Sequence, residues 1–446
     1  MLVTGCVDLD GNAVSVRIRD GEICERSDKL APVPGETLVD GRGGTVLPGL
    51  HDHHVHLRSI AASLDSLELG PPAVHTAAHA VAAIRTAPVG TDGWIRAVKY
   101  HESVAGVLDR HVLDSWMPAI PVRVQHRSGA LWIVNSAGLG ILGIDDHPDG
   151  RLFRSDETMS ALAGDRSSRL TEVSATLSAF GVTGCTDATP DLTPDSIDWF
   201  ENEIRTGRFR QRLHLLARQD RPDESVTFGP VKRILDDTDL DLEAMEQWIR
   251  AVHDVGQSVA VHCVTVAQLV LTTVALRATG SRAGDRIEHA AIVPDDMLDE
   301  LVDLGVTVVT QPNFVSERGD RYLDDVPVSE RNQLWRLASL IRSGVPVAAS
   351  TDAPFGNLDP WACMRAARSR STPFGPILGE HERVESRTAI ALFLGEAHAP
   401  AVPRVLEPGH PADLCILGAA PRTVLGELTA ELVRTTIVRG VVVHDV

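Results

Sequence analysis

The amino-acid sequence predicts an α/β protein, a (β/α)8 TIM barrel with a small β-sandwich domain formed by both chain ends. Three observations carry this prediction. From residue 181 onward, strand-like and helix-like segments alternate, and an opening strand before them brings the number of strands to eight. Both termini consist of short β-like runs separated by turns. Four histidines fall within six residues where the opening strand ends, which indicates a site built at a strand end.

The strand candidates of the middle region follow one another at intervals of one helix. Helix-like patterns between them, such as residues 242–255 and 295–304, stop at Gly256 and Gly305, and glycine commonly follows the last residue of a helix. Strands joined by crossover helices run parallel, and eight of them match the barrel count. The seven candidates after the opening strand are 182–187, 211–217, 230–236, 258–263, 285–289, 306–311 and 346–352.

The ends and the middle of the chain are assigned to different domains. Residues 1–47 and 400–446 are predicted to form the β-sandwich domain, and residues 48–399 the barrel domain. An insertion at about 58–170 follows the first strand and is far longer than one crossover helix. Because the loops after barrel strands surround the active site, the insertion is predicted to act as a cap or specificity element.

Composition narrows the possible partners. The chain has 446 residues, with 42 Lys and Arg against 61 Asp and Glu, which gives a formal net charge of −19. Because the chain has no basic cluster, we expect neither nucleic acid nor a membrane as a partner. The expected partner is a small-molecule substrate. No apolar run approaches about 18 residues and no leader-like segment opens the chain, so we expect a cytoplasmic protein. The six cysteines occur singly along the chain, a pattern typical of reduced thiols. A homo-oligomer is possible.

Residues 45–57 are the stretch around which the expected chemistry is organised. An apolar run and a Pro-Gly turn lead into the histidine cluster. Side chains alternate faces along a strand, so His54 and His56 point the same way while Val55 points into packing. Two imidazoles placed in this way begin a site for a zinc-like ion. A histidine-rich surface loop is the ordinary alternative, and the strand-forming residues around the cluster disfavour it.

Further polar residues interrupt the apolar strand candidates of the middle region. His262, His289 and Asp352 lie at the ends of three of them, and Lys232 lies within a fourth between apolar neighbours. Barrel enzymes build their active sites at these strand ends. Taken singly, each residue has an ordinary explanation as a packed histidine, a turn aspartate or a surface lysine. Their joint occurrence on one face predicts a metal site.

Lys232 is one of only three lysines in a chain that otherwise uses arginine. Burial and neighbouring cations would both lower the pKa of a lysine inside a barrel. A neutral amine reacts with CO2 to give a carbamate, an anion that can bridge two metal ions, and arginine cannot do this. The alternative is a lysine whose stem packs outside the strand while its ammonium group stays in water.

Five separated motifs resemble those of the amidohydrolase superfamily of metal-dependent hydrolases, and the resemblance covers nearly the whole chain. The insertion, with residues 94–96 (WIR) and 126–129 (HRSG), and residues 231–232 (VK) resemble the branch of N-acyl and formamide amidohydrolases. His53 replaces a small residue and residues 233–237 depart from that branch, so the substrate range is not carried over. The five motifs are PGLHDHHVHL at 48–57, GVT at 181–183, RIEHA at 286–290, STDAP at 350–354 and EPGHPADL at 407–414.

The resemblance implies a binuclear centre of two divalent metal ions, with zinc as the expected element. The two histidines of the opening strand would bind the more buried ion, and those of strands five and six the more exposed one. Lys232, N-carboxylated by CO2, would bridge the ions, and Asp352 would bind the buried ion and handle protons. The implied ligands are His54, His56, Lys232, His262, His289 and Asp352.

Resemblance and chemistry together predict an amidohydrolase that acts on carbon–nitrogen bonds other than peptide bonds. A metal-bridging hydroxide would attack the amide carbonyl of a small molecule, and Asp352 would pass the proton to the leaving nitrogen. From the insertion, His126 is a candidate catalytic residue, and His126, Arg127 and Trp94 are candidate substrate-binding residues.

Three alternative functions stay open. Deaminases of the superfamily typically carry a glutamate shortly after the fifth-strand histidine, and residues 263–267 contain no carboxylate, which counts against deamination. Lactonase or phosphotriester hydrolysis would use the same centre on an ester bond. An inactive scaffold of the same fold would be expected to have lost ligands, whereas this chain retains all six.

Overall fold

Two compact units divide the chain. The larger unit comprises Met1–His56 and Ser174–Val446, and the smaller unit comprises Leu57–Val173. The computed structural model describes residues 1–153, 167–219 and 225–446, so residues 154–166 of the predicted insertion lie outside the described residues. No helix in these ranges is long and apolar enough to cross a lipid bilayer.

The β-strands of the described residues are numbered in chain order. They are β1 (Leu2–Val7), β2 (Ala13–Arg19), β3 (Glu22–Ser27), β4 (Leu38–Asp40), β5 (Thr45–Pro48), β6 (Leu50–Val55), β7 (Leu67–Glu68), β8 (Ile95–Tyr100), β9 (Val122–His126), β10 (Leu131–Val134), β11 (Arg151–Phe153), β12 (Val182–Asp187), β13 (Arg212–Leu215), β14 (Val226–Phe228), β15 (Val231–Ile234), β16 (Val259–Cys263), β17 (Arg286–His289), β18 (Thr307–Thr310), β19 (Val347–Ala349), β20 (Leu414–Leu417), β21 (Val433–Val438) and β22 (Val441–Asp445).

Helices connect most of these strands. The α-helices of the described ranges are Leu57–Ser63, Ala77–Thr86, Glu102–Ala105, Arg110–Trp116, Ser136–Leu142, Ser167–Ala179, Pro194–Arg205, Leu242–Asp254, Val266–Thr279, Asp296–Leu304, Asn313–Asp325, Ala338–Ser343, Pro360–Ser369, Ser386–Ala391 and Pro421–Glu427. Short 3-10 helices occur at Arg331–Gln333, Glu380–Glu382 and Ala430–Leu432.

Strands from both chain ends share one sheet in the larger unit. Its order is β22-β21-β20-β5-β1-β2-β3, and β4 pairs with β1. β5 and β20 run antiparallel, with Thr45 opposite Leu417 and Pro48 opposite Leu414, so the early and late parts of the chain meet at this pair. Apolar residues of both ends, among them Val16, Val46 and Ile437, form one buried cluster. Burial of such surface contributes about 25 cal/mol per Å².

Two parallel sheets occupy the middle of the larger unit. One has the order β14-β13-β12-β6 and the other the order β15-β16-β17-β18-β19. Each of the seven predicted strand ranges contains an observed strand, and the two predicted helices occur as Leu242–Asp254 and Asp296–Leu304. The predicted α/β class is therefore confirmed.

Backbone hydrogen bonds join the two parallel sheets on two sides. On one side, Lys232 of β15 donates to Leu216, which follows β13, at 3.4 Å. On the other side, His56 donates to Ala353 at 2.9 Å, and Asp352 donates to the carbonyl of His54 at 3.0 Å. The segment that carries Asp352 is thus bonded directly to the end of β6.

Side-chain caps and apolar stripes determine where the intervening helices lie. Asp241 accepts a hydrogen bond from the Ala244 amide at 3.0 Å and so begins the helix Leu242–Asp254, whose Met245 and Ile249 are buried. The helix Val266–Thr279, which follows the His262 strand, begins with a reciprocal capping box between Thr265 and Gln268. These caps fix the residue at which each helix begins, and so limit the length of the loop between the helix and the strand before it.

The smaller unit has its own sheet and core. Its sheet has the order β11-β10-β9-β8-β7. Trp94 packs in a buried cluster with Trp132 and Leu139. Arg123 lies over the Trp94 ring, 5.3 Å from its centroid, and pairs with Asp92 at 2.9 Å. The indole ring is therefore enclosed by residues of its own unit.

Candidate metal centre

Five of the six side chains predicted as metal ligands lie at or just beyond the carboxyl ends of parallel strands in the larger unit, and the sixth, Lys232, is the second residue of its strand. Parallel strands direct these ends to the same side of a sheet, which brings polar residues there close to one another. The six are His54 and His56 at the end of β6, Lys232 in β15, His262 in β16, His289 at the end of β17, and Asp352 after β19.

His54 lies at the centre of this group and is fully buried. Its Nε2 is 3.0 Å from the Nζ of Lys232 and 3.7 Å from the Oδ1 of Asp352. The His54 and His289 rings lie with centroids 4.9 Å apart. One imidazole therefore contacts three of the other predicted ligands.

Asp352 closes the cluster on the side of His56. The Oδ1 of Asp352 is 3.3 Å from the Nε2 of His56, and His54, His56 and Asp352 each offer one ligand atom within 4.8 Å of the others. Among the described residues, Asp352 Oδ1 is a buried oxygen without a hydrogen-bond partner. Nitrogen and carboxylate oxygen ligands around an unpartnered buried anion fit a divalent cation such as zinc.

The remaining two histidines lie beside this group. The His289 and His262 rings are 4.4 Å apart in an edge-to-face arrangement, and His289 Nδ1 is 4.0 Å from Asp352 Oδ2. His289 is buried, whereas His262 is half-buried. The structure thus brings all six predicted ligands into one cluster.

Comparison with known proteins decides the family. The model of the amidohydrolase family matches residues 37–444. The chain belongs to the amidohydrolase family. The match confirms the resemblance and the predicted enzyme class, an amidohydrolase acting on carbon–nitrogen bonds other than peptide bonds.

Three similar proteins illustrate the relationship. An N-substituted formamide deformylase from Arthrobacter pascens is 24% identical over 97% of this amidohydrolase and 95% of its own length. An uncharacterized metal-dependent hydrolase from Pyrococcus horikoshii OT3 aligns with a TM-score of 0.75 at 19% identity, covering 95% of this chain and 98% of that one. The atrazine chlorohydrolase TrzN from Arthrobacter aurescens TC1, solved with zinc, aligns with a TM-score of 0.59 at 14% identity, covering 100% and 95%. These two structural likenesses show a shared fold.

Burial determines the electrostatic character of Lys232 in this amidohydrolase. Its side chain is almost completely enclosed, and burial lowers its pKa to about 8, although the nearby carboxylates of Glu288, Asp352 and Asp187 act in the opposite direction. At pH 7 about one such side chain in ten is an uncharged amine. An uncharged amine is the nucleophilic form of lysine.

Three of the other predicted ligands, His54, His289 and Asp352, have pKa values shifted toward their metal-binding forms. Burial lowers the pKa of His54 and of His289, so both imidazoles are neutral. For Asp352, burial favours the protonated acid, but neighbouring His56, His289 and Lys232 outweigh it and lower the pKa of the carboxyl group. Neutral imidazoles and an ionised carboxylate are the forms that bind metals.

Backbone conformation at the strand ends is unusual. His289 (φ 73°), Ala290 (φ 48°) and Asp352 (φ 54°) all lie in the left-handed region, which residues other than glycine seldom adopt. Such conformations persist where surrounding structure enforces them, and they concentrate at functional sites. Here they turn the chain immediately where two predicted ligands are presented.

Several supporting residues were not predicted as functional. Glu288 Oε2 lies within hydrogen-bonding distance of His54 Nδ1, and Gln311 Oε1 lies 2.8 Å from His289 Nδ1. Glu288 stands inside the RIEHA motif, where a buried charge within an apolar strand was the available signal. Gln311 gives no comparable signal, because its role depends on which strand packs beside β17.

Asp52 and the other histidines of β6 have structural contacts. Asp52 accepts a hydrogen bond from the Thr351 amide at 3.1 Å and a second from the Thr351 hydroxyl. His51 Nε2 is 2.9 Å from the Thr186 hydroxyl, and the His51 ring stacks on His53 with centroids 4.6 Å apart. Asp52 therefore ties the segment before Asp352 to the strand of His54.

The three predicted substrate residues lie in the smaller unit. Trp94 is only 3% exposed, within the cluster described above. His126 Nε2 is 3.0 Å from Glu102, and its Nδ1 is 2.8 Å from the Ser128 hydroxyl. Arg127 is half-buried. Contact of these residues with a substrate stays a prediction.

A second group of side chains, in the smaller unit, is spaced closely enough to hold a metal ion, but the hydrogen bonds of its histidines disfavour metal binding. His101, Glu102 and His126 each place one ligand atom within 4.8 Å of the others. The Nδ1 atoms of His101 and His126 each accept a backbone N–H, from Ser103 and Ser128, both at 3.1 Å. The proton of each neutral ring is therefore on Nε2, which faces Glu102. This arrangement favours hydrogen bonding to the carboxylate over coordination of a cation.

Proposed function

We propose that this amidohydrolase hydrolyses the amide bond of a small N-substituted molecule at a centre of two zinc ions. The observation that carries the proposal is the convergence of His54, His56 and Asp352, with the buried Asp352 Oδ1 left without a hydrogen-bond partner among the described residues. The relative named as an N-substituted formamide deformylase, matched over 97% of the chain, supports the choice of bond.

The proposed architecture is a closed eight-stranded barrel in the larger unit, with the chain-end sheet as part of a β-sandwich. Backbone hydrogen bonds from Lys232 to Leu216, after β13, and from Asp352 to His54, in β6, support closure. β14 pairs only at the edge of its sheet, beside β13, and is counted outside the eight. The 57–173 unit is proposed as an insertion, within which Trp94, His126 and Arg127 are candidate substrate-binding residues.

Each side chain of the centre has a defined task in this proposal. Divalent ions held here would acidify a water molecule and polarise the bond under attack. His54 and His56 supply nitrogen ligands to the more buried position, and His262 and His289 supply them to the more exposed one. Asp352, ionised and adjacent to His56, accepts the proton released during attack and delivers it to the leaving nitrogen.

Lys232 is proposed to become a carbamate. Its uncharged amine would attack the carbon of CO2, a nitrogen–carbon bond would form, and one proton would leave, so that the side chain ends in a single negative charge. Its burial, its pKa of about 8 and its 3.0 Å contact with His54 support this chemistry. The anion would lie between the two ion positions and balance part of their charge.

A substrate panel tests the reaction class. Zinc-loaded protein is assayed for primary-amine release from N-substituted formamides and N-acyl amines, and for ammonia release from nucleobases, with Asp352→Asn as the inactive control. We expect amine release that Asp352→Asn reduces by about 10²-fold or more. Turnover confined to nucleobases, or equal turnover by the variant, would contradict the proposal.

A further inference from the structure

A buried carboxylate supports the imidazole at the middle of the metal centre. We infer that Glu288, anchored by Arg286, determines which ring nitrogen of His54 carries the proton and thereby controls zinc affinity at the more buried position. The inference about affinity rests on the metal binding proposed above, whereas the inference about the proton does not.

The contacts of Glu288 are fully enclosed. Glu288 and His54 have no exposed surface, and Arg286 is 1% exposed. Glu288 Oε2 faces His54 Nδ1, while Arg286 donates to Oε1 from Nε at 2.8 Å and to Oε2 from Nη2 at 3.2 Å. A buried carboxylate is stable when it is paired and hydrogen-bonded in this way. Its two oxygens are both occupied as acceptors.

This arrangement leaves one tautomer for His54. A carboxylate paired with arginine accepts hydrogen bonds, so the proton of the neutral ring must be on Nδ1. The lone pair of Nε2 then points toward Lys232 Nζ at 3.0 Å and Asp352 Oδ1 at 3.7 Å. With the proton on Nε2, an N–H would face the ammonium donor and occupy the position of the cation. Glu288 therefore prepares the ring for a metal before any metal arrives.

Arg286 fixes the distance between the two partners. Besides its two bonds to Glu288, its Nη2 donates to the backbone carbonyl of His53 at 2.9 Å. His53 precedes His54 in β6, so one guanidinium ties β17 to the strand that carries the ligand. The planar fork of arginine allows this three-point contact, which a lysine could not reproduce.

The second buried imidazole provides a contrast. His289 Nδ1 bonds to the neutral amide of Gln311, whose Nε2 in turn donates to Ser350 at 2.8 Å. Hydrogen bonds to charged groups are stronger than those to neutral ones, and a charged acceptor raises the basicity of the ring. His54 is therefore the more basic of the two imidazoles and the stronger metal ligand. We expect the more tightly bound ion at the His54 position.

The control for this inference is a second buried carboxylate with the same partner type. Glu203 is fully buried and bonds Arg208 at 2.7 and 2.6 Å, but it lies in the helix Pro194–Arg205, outside the strands that carry the six predicted ligands. Glu203→Gln removes one charge from an Arg–Glu pair. Glu288→Gln makes the same chemical change beside His54, where an amide NH2 must now face a donor.

The first measurement is made on the wild-type protein and uses a variant only to assign the resonance. In metal-free full-length protein with 15N-labelled histidines, the His54 resonance, assigned by its loss in His54→Asn, is expected to report a proton on Nδ1. A proton on Nε2 would overturn the inference. Because this measurement uses no metal, it remains decisive even if the wild-type protein binds no zinc, a result that would contradict the proposed function alone.

The second measurement is zinc affinity by chelator competition. Glu288→Gln is expected to weaken the tighter zinc site by about 10- to 100-fold, and Arg286→Lys to weaken it by a smaller factor. Glu203→Gln is expected to leave the zinc affinity within about 2-fold of wild type. Unchanged affinity in Glu288→Gln, or an equal loss in Glu203→Gln, would overturn the inference. If Glu288→Gln does not fold, Arg286→Lys and the tautomer measurement decide the question.

Discussion

Lys232 has the surroundings that make a lysine reactive. Three carboxylates, those of Glu288, Asp352 and Asp187, act to raise its pKa, yet burial outweighs them and leaves the value near neutrality, at about 8. A lysine at the protein surface would keep a pKa of about 10.4 and stay charged. The position of Lys232 inside the parallel strands, rather than its identity alone, is what supports the carbamate proposal.

Removing the amine should therefore remove one metal position. We expect Lys232→Ala to lower bound zinc from two ions per chain to one or fewer and to lose most of the amidase activity, because the bridging anion is gone. Metal content by mass spectrometry and amine release by assay measure both effects. Lys29→Ala, at an exposed lysine, is the matched control. Two zinc ions retained by Lys232→Ala would contradict the bridging role.

His214 should make the protein sensitive to acid. Burial lowers the pKa of His214 to about 3, against about 6.5 in an unfolded chain. Between these two pH values the unfolded chain binds a proton at His214 that the native protein does not bind. The contribution of His214 to stability is therefore complete above a pH of about 6.5 and is lost as the pH falls toward 3. His214→Asn keeps a polar group beside the Thr227 hydroxyl, which His214 contacts at 2.8 Å.

Urea unfolding of the wild type and of His214→Asn at a series of pH values measures the contribution of His214 to stability. We expect the free energy of unfolding of the wild type to fall by up to about 1.4 kcal/mol per pH unit more than that of His214→Asn between roughly pH 6 and pH 4. The other buried histidines titrate equally in the two proteins and cancel. Parallel curves would show that His214 is already protonated in the native state.

The candidate ligands were easier to recognise in the sequence than the residues that support them. Histidines and a lysine at apolar strand ends are conspicuous in the chain. Glu288 and Gln311 act through contacts that exist only after β6, β17 and β18 assemble, and no local spacing reveals such a partner. Trp94 was predicted as a substrate-binding residue within the insertion that resembles the formamide branch, whereas its near-complete burial in the smaller unit depends on packing that the sequence does not reveal.

At the scale of elements, β6 organises the site because the segment that leads into Asp352 is bonded to it. Asp52 accepts hydrogen bonds from the Thr351 amide at 3.1 Å, from the Thr351 hydroxyl and from the His54 amide at 3.3 Å. Asp352 is the next residue after Thr351. The position of the proposed proton carrier is therefore determined through the strand that carries the first two ligands.

Asp52→Asn should weaken both this junction and the site. The amide replaces an accepting oxygen with a donor where every neighbour donates, so we expect a loss of about 1–3 kcal/mol in the free energy of unfolding, with weaker zinc binding. Urea unfolding and chelator competition measure the two effects. Asp8→Asn, in an exposed turn where Asp8 accepts from Asp10 and Asn12, is the control. Equal behaviour of the two variants would contradict a linking role for Asp52.

Strand positions were predictable because each strand is an apolar run bounded by a turn or a polar residue. Pairing and register were not, since the pairing of Thr45 with Leu417 joins residues from opposite ends of the chain. The short strand β14 (Val226–Phe228) was missed because three residues carry too little pattern to distinguish a strand from a loop. Element type therefore follows from local chemistry, whereas partners follow from the assembled fold.

At the scale of the whole molecule, metal binding should stabilise the fold. The six proposed ligands come from β6, β15, β16, β17 and the segment after β19, so bound ions would join strands of both parallel sheets. A ligand at 100 times its Kd stabilises the native state by about 2.7 kcal/mol. We expect chelation to lower the Tm and added zinc to restore it, as followed by calorimetry. A Tm indifferent to both treatments would show that the sheets are not joined through a metal.

The central claim is that two zinc ions lie among the six clustered side chains of the larger unit. Anomalous diffraction at the zinc absorption edge, from crystals of the full-length protein, locates such ions directly. We expect two peaks per chain, one against His54, His56 and Asp352 and one against His262 and His289, with continuous density from Lys232 to both. No peak in this cluster, or zinc at His101, Glu102 and His126 instead, would contradict it.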